Sequence, residues 1–267
     1  MEMIFKIKRI NSNEYEPIAV DVDKYVVNTF KNDETIEEVI VPEGVKVING
    51  LFYGCKNLKI VKLPETLEKI GDETFKKCKK LEEITIPNSV NTIGTYAFHH
   101  CTRLKKVVIT NENLKFNSTT FQDTSTLLTN KYGTYEYMGT LEKPYLWMVK
   151  SHSFSNDDIH KDCKHILCGF FSQYLEKLTI PDNVETISIL GYCGAKHLIL
   201  GSGLRKIDSS CFEHCENLNE LTIYSKNLVF KGEPYGLHNL TLNIYKEEYE
   251  INKDFFVSER IKTINYL

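Results

Sequence analysis

Cys55, Cys78 and Cys101 stand 23 residues apart, and their neighbours repeat with them. The shared unit reads L-x-x-[IVL]-x-[IVL]-P, then a Val or Leu, an Ile, a small residue, Phe-x-x-Cys and Leu. Pro42 leads to Val45, Ile48, Phe52, Cys55 and Leu58. Pro64 leads to Leu67, Ile70, Phe75, Cys78 and Leu81, and Pro87 to Val90, Ile93, Phe98, Cys101 and Leu104. A fourth copy keeps Phe116 and Phe121 and puts Thr124 in the cysteine slot. The pattern resumes at Leu175, Leu178, Ile180 and Pro181 and loosens through Ala195, Leu198 and Leu200. It sharpens at Ile207, Cys211, Phe212, Cys215, Leu218, Leu221 and Ile223, and a last copy is Leu237, Leu240 and Leu242. A unit this short cannot bury its apolar face alone, so it must stack on its neighbours as a solenoid.

Each L-x-x-L-x-I segment is short, alternating and β-branched, which predicts a strand with every second side chain inward. Proline follows at Pro42, Pro64, Pro87 and Pro181. It cannot donate to a ladder, so the strand stops there. The segments 72–78, 95–101 and 209–215 begin near a small polar residue and predict one or two helical turns on the convex side. Their Phe fills the core between layers, and Thr74, Ala97 and Cys211 occupy a slot for small side chains. Between Leu127 and Ile166 the period is interrupted. Tyr135 and Tyr137 alternate with polar neighbours, as do Tyr145, Trp147 and Val149, which predicts a β-hairpin across Gly139–Pro144. Phe154 and Ile159 fit a degenerate strand. The tail after Leu242 reads as a charged helix with an aromatic face, and Phe5, Ile7, Tyr25 and Val27 belong to a segment closing the other end.

The expected fold is therefore an α/β solenoid, a right-handed leucine-rich-repeat superhelix with a concave parallel β-sheet. It is expected as one domain over 1–267, with caps at 1–35 and 243–267, regular repeats at 36–128, the hairpin insertion and a degenerate repeat at 129–165, and further repeats at 166–242. Apolar residues at 42% and charged residues at 26% exclude a disordered or fibrous chain. A net charge of -3 gives no global pull toward nucleic acid. The first residues alternate apolar and charged, unlike a signal peptide, and no apolar run of about 18 residues is present to cross a bilayer. The expectation is a soluble, cytoplasmic chain, or a surface-exposed one where a leader has been removed.

The repeats IPNSVNTIGTYAFHHCTRLKKVVI and LPETLEKIGDETFKKCKKLEEITI resemble the Treponema-type, or BspA-like, leucine-rich repeat. The resemblance is strong over 36–128 and less regular over 166–242. YEYMG and KPYLWMVK resemble an inserted β element of that family. It implies a single-domain curved solenoid, and a role in adhesion or protein binding of the kind associated with surface proteins of host-associated bacteria and some protists. It carries no shared catalytic motif.

The residues themselves offer little chemistry. The column Cys55, Cys78, Cys101 and Cys215 follows Phe by three, where a small apolar side chain is wanted. Coils expected to diverge on the convex side would keep its members too far apart for disulfides. His160, Cys163, His165 and Cys168 form H-x2-C-x-H-x2-C, four zinc-capable types, but the spacing is not that of paired knuckles and the segment reads as repeat positions. His99, His100 and His214 fall where Lys76 and Lys77 also appear, as solvated convex surface. No nucleophile elbow, phosphate loop or HExxH motif is present. No enzyme, cofactor or metal is expected.

Outward strand positions carry more. The middle residues are Ile40, Lys62, Thr85, Val108, Thr179, Ile199, Thr222 and Thr241. Glu37, Lys59, Glu82 and Lys105 alternate in sign, as do Glu176 and Lys196, which suits cross-strand pairing. Tyr132, Tyr135, Tyr137, Tyr145 and Trp147 crowd into the insertion, where they either bind or pack. The expected function is a non-catalytic protein-binding scaffold, with Lys62, Thr85, Val108, Thr179 and Ile199 as the contact row and Tyr137 and Trp147 at its edge. The alternative is a structural or self-associating surface component. No nucleic acid and no membrane insertion are expected.

Overall fold

The computed structural model describes residues 2–21, 29–124, 127–151, 159–168, 172–188, 193–213, 215–232, 237–256 and 260–267. Tyr25, Val27, Phe154 and His214 lie outside them. The chain divides into two compact units, residues 1–128 with 140–142, and 129–139 with 143–267. Each is a β-solenoid of stacked coils with parallel ladders.

In the first unit β1 (Glu2–Arg9) and β2 (Glu16–Asp21) form an antiparallel hairpin, and β1 lies antiparallel to β3 (Ile36–Ile40). Phe5 and Ile7 face inward and are fully buried. From β3 onward three successive coils supply two strands each, and the fourth supplies one strand and an isolated bridge at Lys115. The predicted strand of each repeat is β3, β5 (Ile60–Lys62), β7 (Glu83–Ile86) and β9 (Lys106–Ile109). The second was not foreseen: β4 (Val47–Ile48), β6 (Lys69–Ile70) and β8 (Thr92–Ile93) form a parallel ladder of their own. The V-x-x-I step after the proline is too short to show alternation, so its strand character is not visible in sequence.

The expected helical turns are absent from 72–78 and 95–101. These stretches are turns in which Glu73, Lys77, Tyr96 and His100 take positive φ. Their N–H groups reach the next coil: Phe52 donates to Thr74 O at 3.0 Å, Phe75 to Ala97 O at 2.8 Å and Phe98 to Thr120 O at 2.9 Å. Asp72, the small polar residue that opens the first of these stretches, accepts the Thr95 N–H of the following coil at 2.7 Å. An α-helix is about 10–12 Å across and cannot sit at a strand spacing of about 4.8 Å. Left-handed backbone costs a non-glycine residue about 1–2 kcal/mol, which these inter-coil bonds offset. At the equivalent Gly54, φ +74°, a Cβ would come within 2.1 Å of Asn32 Oδ1.

The core of this unit is a column. Phe30, Phe52, Phe75, Phe98 and Phe121 stack face to face with centroids 5.2–5.6 Å apart and planes within 16°. Beside them Thr74 and Ala97 are fully buried in the small-residue slot, and the Thr74 hydroxyl donates to Gly71 O at 2.8 Å.

The second unit opens with β10 (Asn130–Tyr132), β11 (Tyr135–Met138) and β12 (Trp147–Ser151), paired antiparallel, so the predicted hairpin is present. At its turn a Cβ on Gly139 would meet Lys143 O at 2.0 Å. β12 then joins a parallel ladder of β13 (His165–Ile166), β15 (Thr186–Ile187), β17 (Lys206–Asp208) and β19 (Val229–Lys231). The main ladder is β14 (Ser172–Ile180), β16 (Cys193–Leu200), β18 (Glu220–Ile223), β20 (Leu240–Ile244) and β21 (Ile261–Tyr266), all parallel. Only Ser209–Phe212 keeps a helical turn of the kind expected, as a short 3-10 segment.

The charged tail is helical only over α1 (Lys246–Asn252); the chain then buries Phe255 and Phe256 against Phe230 and returns as β21. Among the described residues almost no helix forms in either unit, so the α/β class expected from sequence is not confirmed. Among the described residues no helix is long and apolar enough to cross a membrane.

Candidate functional site

Inward strand positions are committed to the core, so binding chemistry is sought on the outward faces. In the first unit the register places Ile40 beside Lys62 and Thr85 beside Val108. Lys62 and Thr85 are exposed and Val108 is half-buried. The alternating charges pair as expected within each ladder: Lys59 with Glu37 at 2.5 Å and Lys105 with Glu82 at 3.2 Å. Between β5 and β7, however, the ladder is interrupted, and each belongs to a separate sheet. Lys59 turns back to Glu37 and Glu82 forward to Lys105, so the ion pairs also stop there. An open cleft of about 440 Å³ lies at this interruption. Ile60, Val61 and Ile84 line it, with Thr85, Lys80 and Arg103 among its polar residues, and Ile60 is 44% exposed.

In the second unit Thr179, Ile199, Thr222 and Asn243 align across four strands. Thr179 is exposed and Ile199 half-buried. Thr222 is buried, because the His197 ring and the Asn243 amide both hydrogen-bond its hydroxyl at 2.9 Å. Thr241 sits one step away, opposite Glu220, so the last repeat is shifted by two residues from its sequence alignment. Lys196 pairs with Glu176 at 2.9 Å.

An open cleft of about 730 Å³ adjoins Thr179. Tyr132, Tyr135 and His160 form one side, and Lys161 and Lys177 bring positive charge. The Tyr145 ring stacks on His160 at 3.9 Å, and Tyr132 meets it edge-on at 4.8 Å. Lys177 and Thr179 are two apart on one strand, hence on one face. That relation was legible in sequence. The convergence of Lys161 and His160 upon it was not, since it follows from how the insertion folds back.

Tyr137 and Trp147 leave the candidate set. Both are essentially fully buried. The Tyr137 hydroxyl accepts the His160 N–H at 3.2 Å, and Trp147 stacks on His165 at 6.0 Å. Alternation predicted which residues share a face, but here the insertion's apolar face is covered by the coil that follows. Tyr132, 44% exposed, is the aromatic that remains available.

The cysteines carry a role that composition did not reveal. Cys55, Cys78 and Cys101 donate their S–H groups to the carbonyls of Phe30, Phe52 and Phe75 in the preceding coil, at 3.0–3.2 Å. Thr124, in the same slot, instead donates its hydroxyl to Phe121 O within its own turn. The coils do not diverge here, contrary to expectation, yet the seven cysteines with described side chains are all free and buried. Burial pushes the thiols of Cys55, Cys101, Cys163 and Cys168 up to about 12, and that of Cys78 well above its usual value. Thiolate chemistry is thereby suppressed. In the H-x2-C-x-H-x2-C stretch, Cys163 Sγ is directed to His165 O, His165 Nδ1 lies 2.9 Å from Thr186 Oγ1, and His160 is under Tyr145. No three of the four bring donor atoms together.

A search of curated proteins gives no significant match. Among solved structures, the chain is similar to a leucine-rich repeat protein of T. pallidum, with 19% identity and a TM-score of 0.38 over 90% of this chain and 78% of that one. It is similar to a leucine-rich repeat protein of Bacteroides ovatus, with 17% identity and a TM-score of 0.35 over 100% and 99%. The pneumococcal vaccine antigen PcpA shares 18% identity, with a TM-score of 0.32 over 88% and 68%. The model of the BspA type leucine rich repeat region matches six copies over residues 25–137 and 148–262. Matched over most of its length, the chain belongs to the BspA-type leucine-rich repeat family.

Proposed function

We propose that this repeat protein is a non-catalytic scaffold that binds a protein partner through the outward face of its parallel strands. In the first unit the partner meets Lys62, Thr85 and Val108, and in the second Thr179 and Ile199. One observation carries the reading. Several outward lysines are paired with a glutamate of the preceding coil, but Lys161 and Lys177 make no ion pair among the described residues. They share a cleft with exposed Tyr132 and Thr179. Aromatic and basic side chains around an apolar floor suit a partner segment that presents carboxylates beside apolar residues.

The test begins with a partner captured from native lysate and identified. Lys161→Glu with Lys177→Glu is expected to weaken binding by about tenfold or more, mostly through association rate. Val108→Glu and Thr179→Glu should also weaken it, with melting unchanged. Lys77→Glu on the turn side should do little. Full binding by the cleft variants together with loss in Lys77→Glu sinks the proposed site.

A second reading, self-association, is favoured by β21. Among the described residues it pairs with β20 alone, and Tyr266 and Leu267 are about half exposed. Unprotected strand edges add further strands readily. A stable homo-oligomer in sedimentation without any partner, dispersed by Thr263→Pro, would support this reading over the first.

A further inference from the structure

The turn side of the first unit holds the one group of converging metal-capable donors among the described residues: His99, His100 and Asp123. One donor atom from each lies within 4.8 Å of the other two. His99 Nε2 is 3.0 Å from Asp123 Oδ2, and His100 Nδ1 is 3.5 Å from the same oxygen. Zinc takes nitrogen and oxygen ligands at about 2.0–2.2 Å, so two ligands on a tetrahedral zinc stand about 3.4 Å apart. The observed separations bracket that edge. We infer that His99, His100 and Asp123 form a solvent-facing site for a divalent transition metal of the zinc class.

The scaffold holds the donors in place. His99 and Asp123 come from successive coils whose rings, Phe98 and Phe121, stack at 5.2 Å. The His100 N–H donates to Gln122 O at 3.2 Å, which fixes the register between the two turns. His100 and Asp123 occupy the same left-handed turn position, with φ 59° and 57°. The equivalent residues of earlier coils are Asn32, Gly54 and Lys77, which supply no such ligands. The His99 ring rests against Tyr96 at 5.1 Å, and its Nδ1 is buried, so Nε2 is the nitrogen presented.

His99 is thus not the freely solvated side chain expected from its variable position; only 15% of its side chain is exposed. The neighbouring cation Lys76 is engaged by Glu73, and its ammonium lies over the Tyr96 ring at 5.1 Å. Imidazole ligands favour zinc or nickel over magnesium or calcium. Three protein ligands leave room for water or for a fourth ligand from elsewhere. A bound ion would tie one coil to the next.

The test uses the full chain stripped with chelator. Zn²⁺ is titrated in competition with a chromophoric chelator, and thermal melts are recorded with and without the ion. The expected result is about one equivalent bound, a rise in melting temperature with Zn²⁺, and no response to Mg²⁺. His100→Gln and Asp123→Asn change exposed side chains and should each weaken binding by about tenfold or more, while the double variant loses the zinc-dependent rise. The inference is overturned if the chain takes up no zinc. It is equally overturned if the double variant binds as the parent does, which would place the ion elsewhere, such as the 160–168 stretch.

Discussion

Among the described residues, the two units join their coils through different contacts. In the first, the main strands β5, β7 and β9 run only three or four residues, and five stacked phenylalanines carry the register from coil to coil. In the second, β14 and β16 run nine and eight residues, and Phe212 is the single described ring in the repeat slot. The backbone ladder there is longer and continuous through five strands. A side-chain column tolerates an interrupted ladder, as between β5 and β7, because the rings and turns hold the coils together.

That contrast can be broken at its strongest point first. Phe98→Ala removes a ring from the middle of the stack and is expected to cost about 3–5 kcal/mol in denaturant melts, as truncation of a buried Phe does. Phe212→Ala, which removes a ring lying 6.3 Å from Phe255 and tilted to it, should cost less. Equal costs would show that the column is packing without cooperation. Next, Cys101→Ala deletes an S–H donor to Phe75 O and should cost about 1 kcal/mol, with Cys101→Ser recovering part of the loss.

The second unit carries a pH dependence of its own. Burial holds His165 below its ordinary value of about 6.5. The unfolded chain therefore takes up the proton first as pH falls. Stability from this group is complete above about pH 6.5 and declines as pH drops toward the folded value. His165→Gln should flatten that part of the profile; an unchanged slope assigns it to other groups. The smallest effect is electrostatic. A double-mutant cycle on Lys59 and Glu37 should give about 0.2–1 kcal/mol, and less in high salt.

Much of the first unit was legible because its repeat is nearly free of insertions. Phe52, Phe75 and Phe98 are one repeat apart and occupy one column. What sequence could not show was backbone that departs from both common periods. A small polar residue before Thr74 reads as a helix start, yet Glu73 and Lys77 adopt left-handed φ, and no pattern announces this for residues other than glycine. In the second unit the two-residue shift at Asn243 was invisible because Leu240 and Leu242 both suit an inward slot. Lys62, Thr85 and Thr179 were correctly read as outward, since alternation suffices within a strand. Tyr137 and Trp147 were not resolved, because alternation names a face without saying what lies on it.

The buried thiols have a practical consequence. Cys55, Cys78 and Cys101 each donate to a carbonyl one coil away, so an alkylating reagent can reach them only when the contact between those two coils has opened. Cys55, Cys78 and Cys101 therefore form an evenly spaced series of reporters along the first unit. Labelling at rising denaturant, read site by site, gives the free energy of opening at each interface. A common value at all three sites would mean that the unit opens as one body, and a graded series would locate the end from which it unravels.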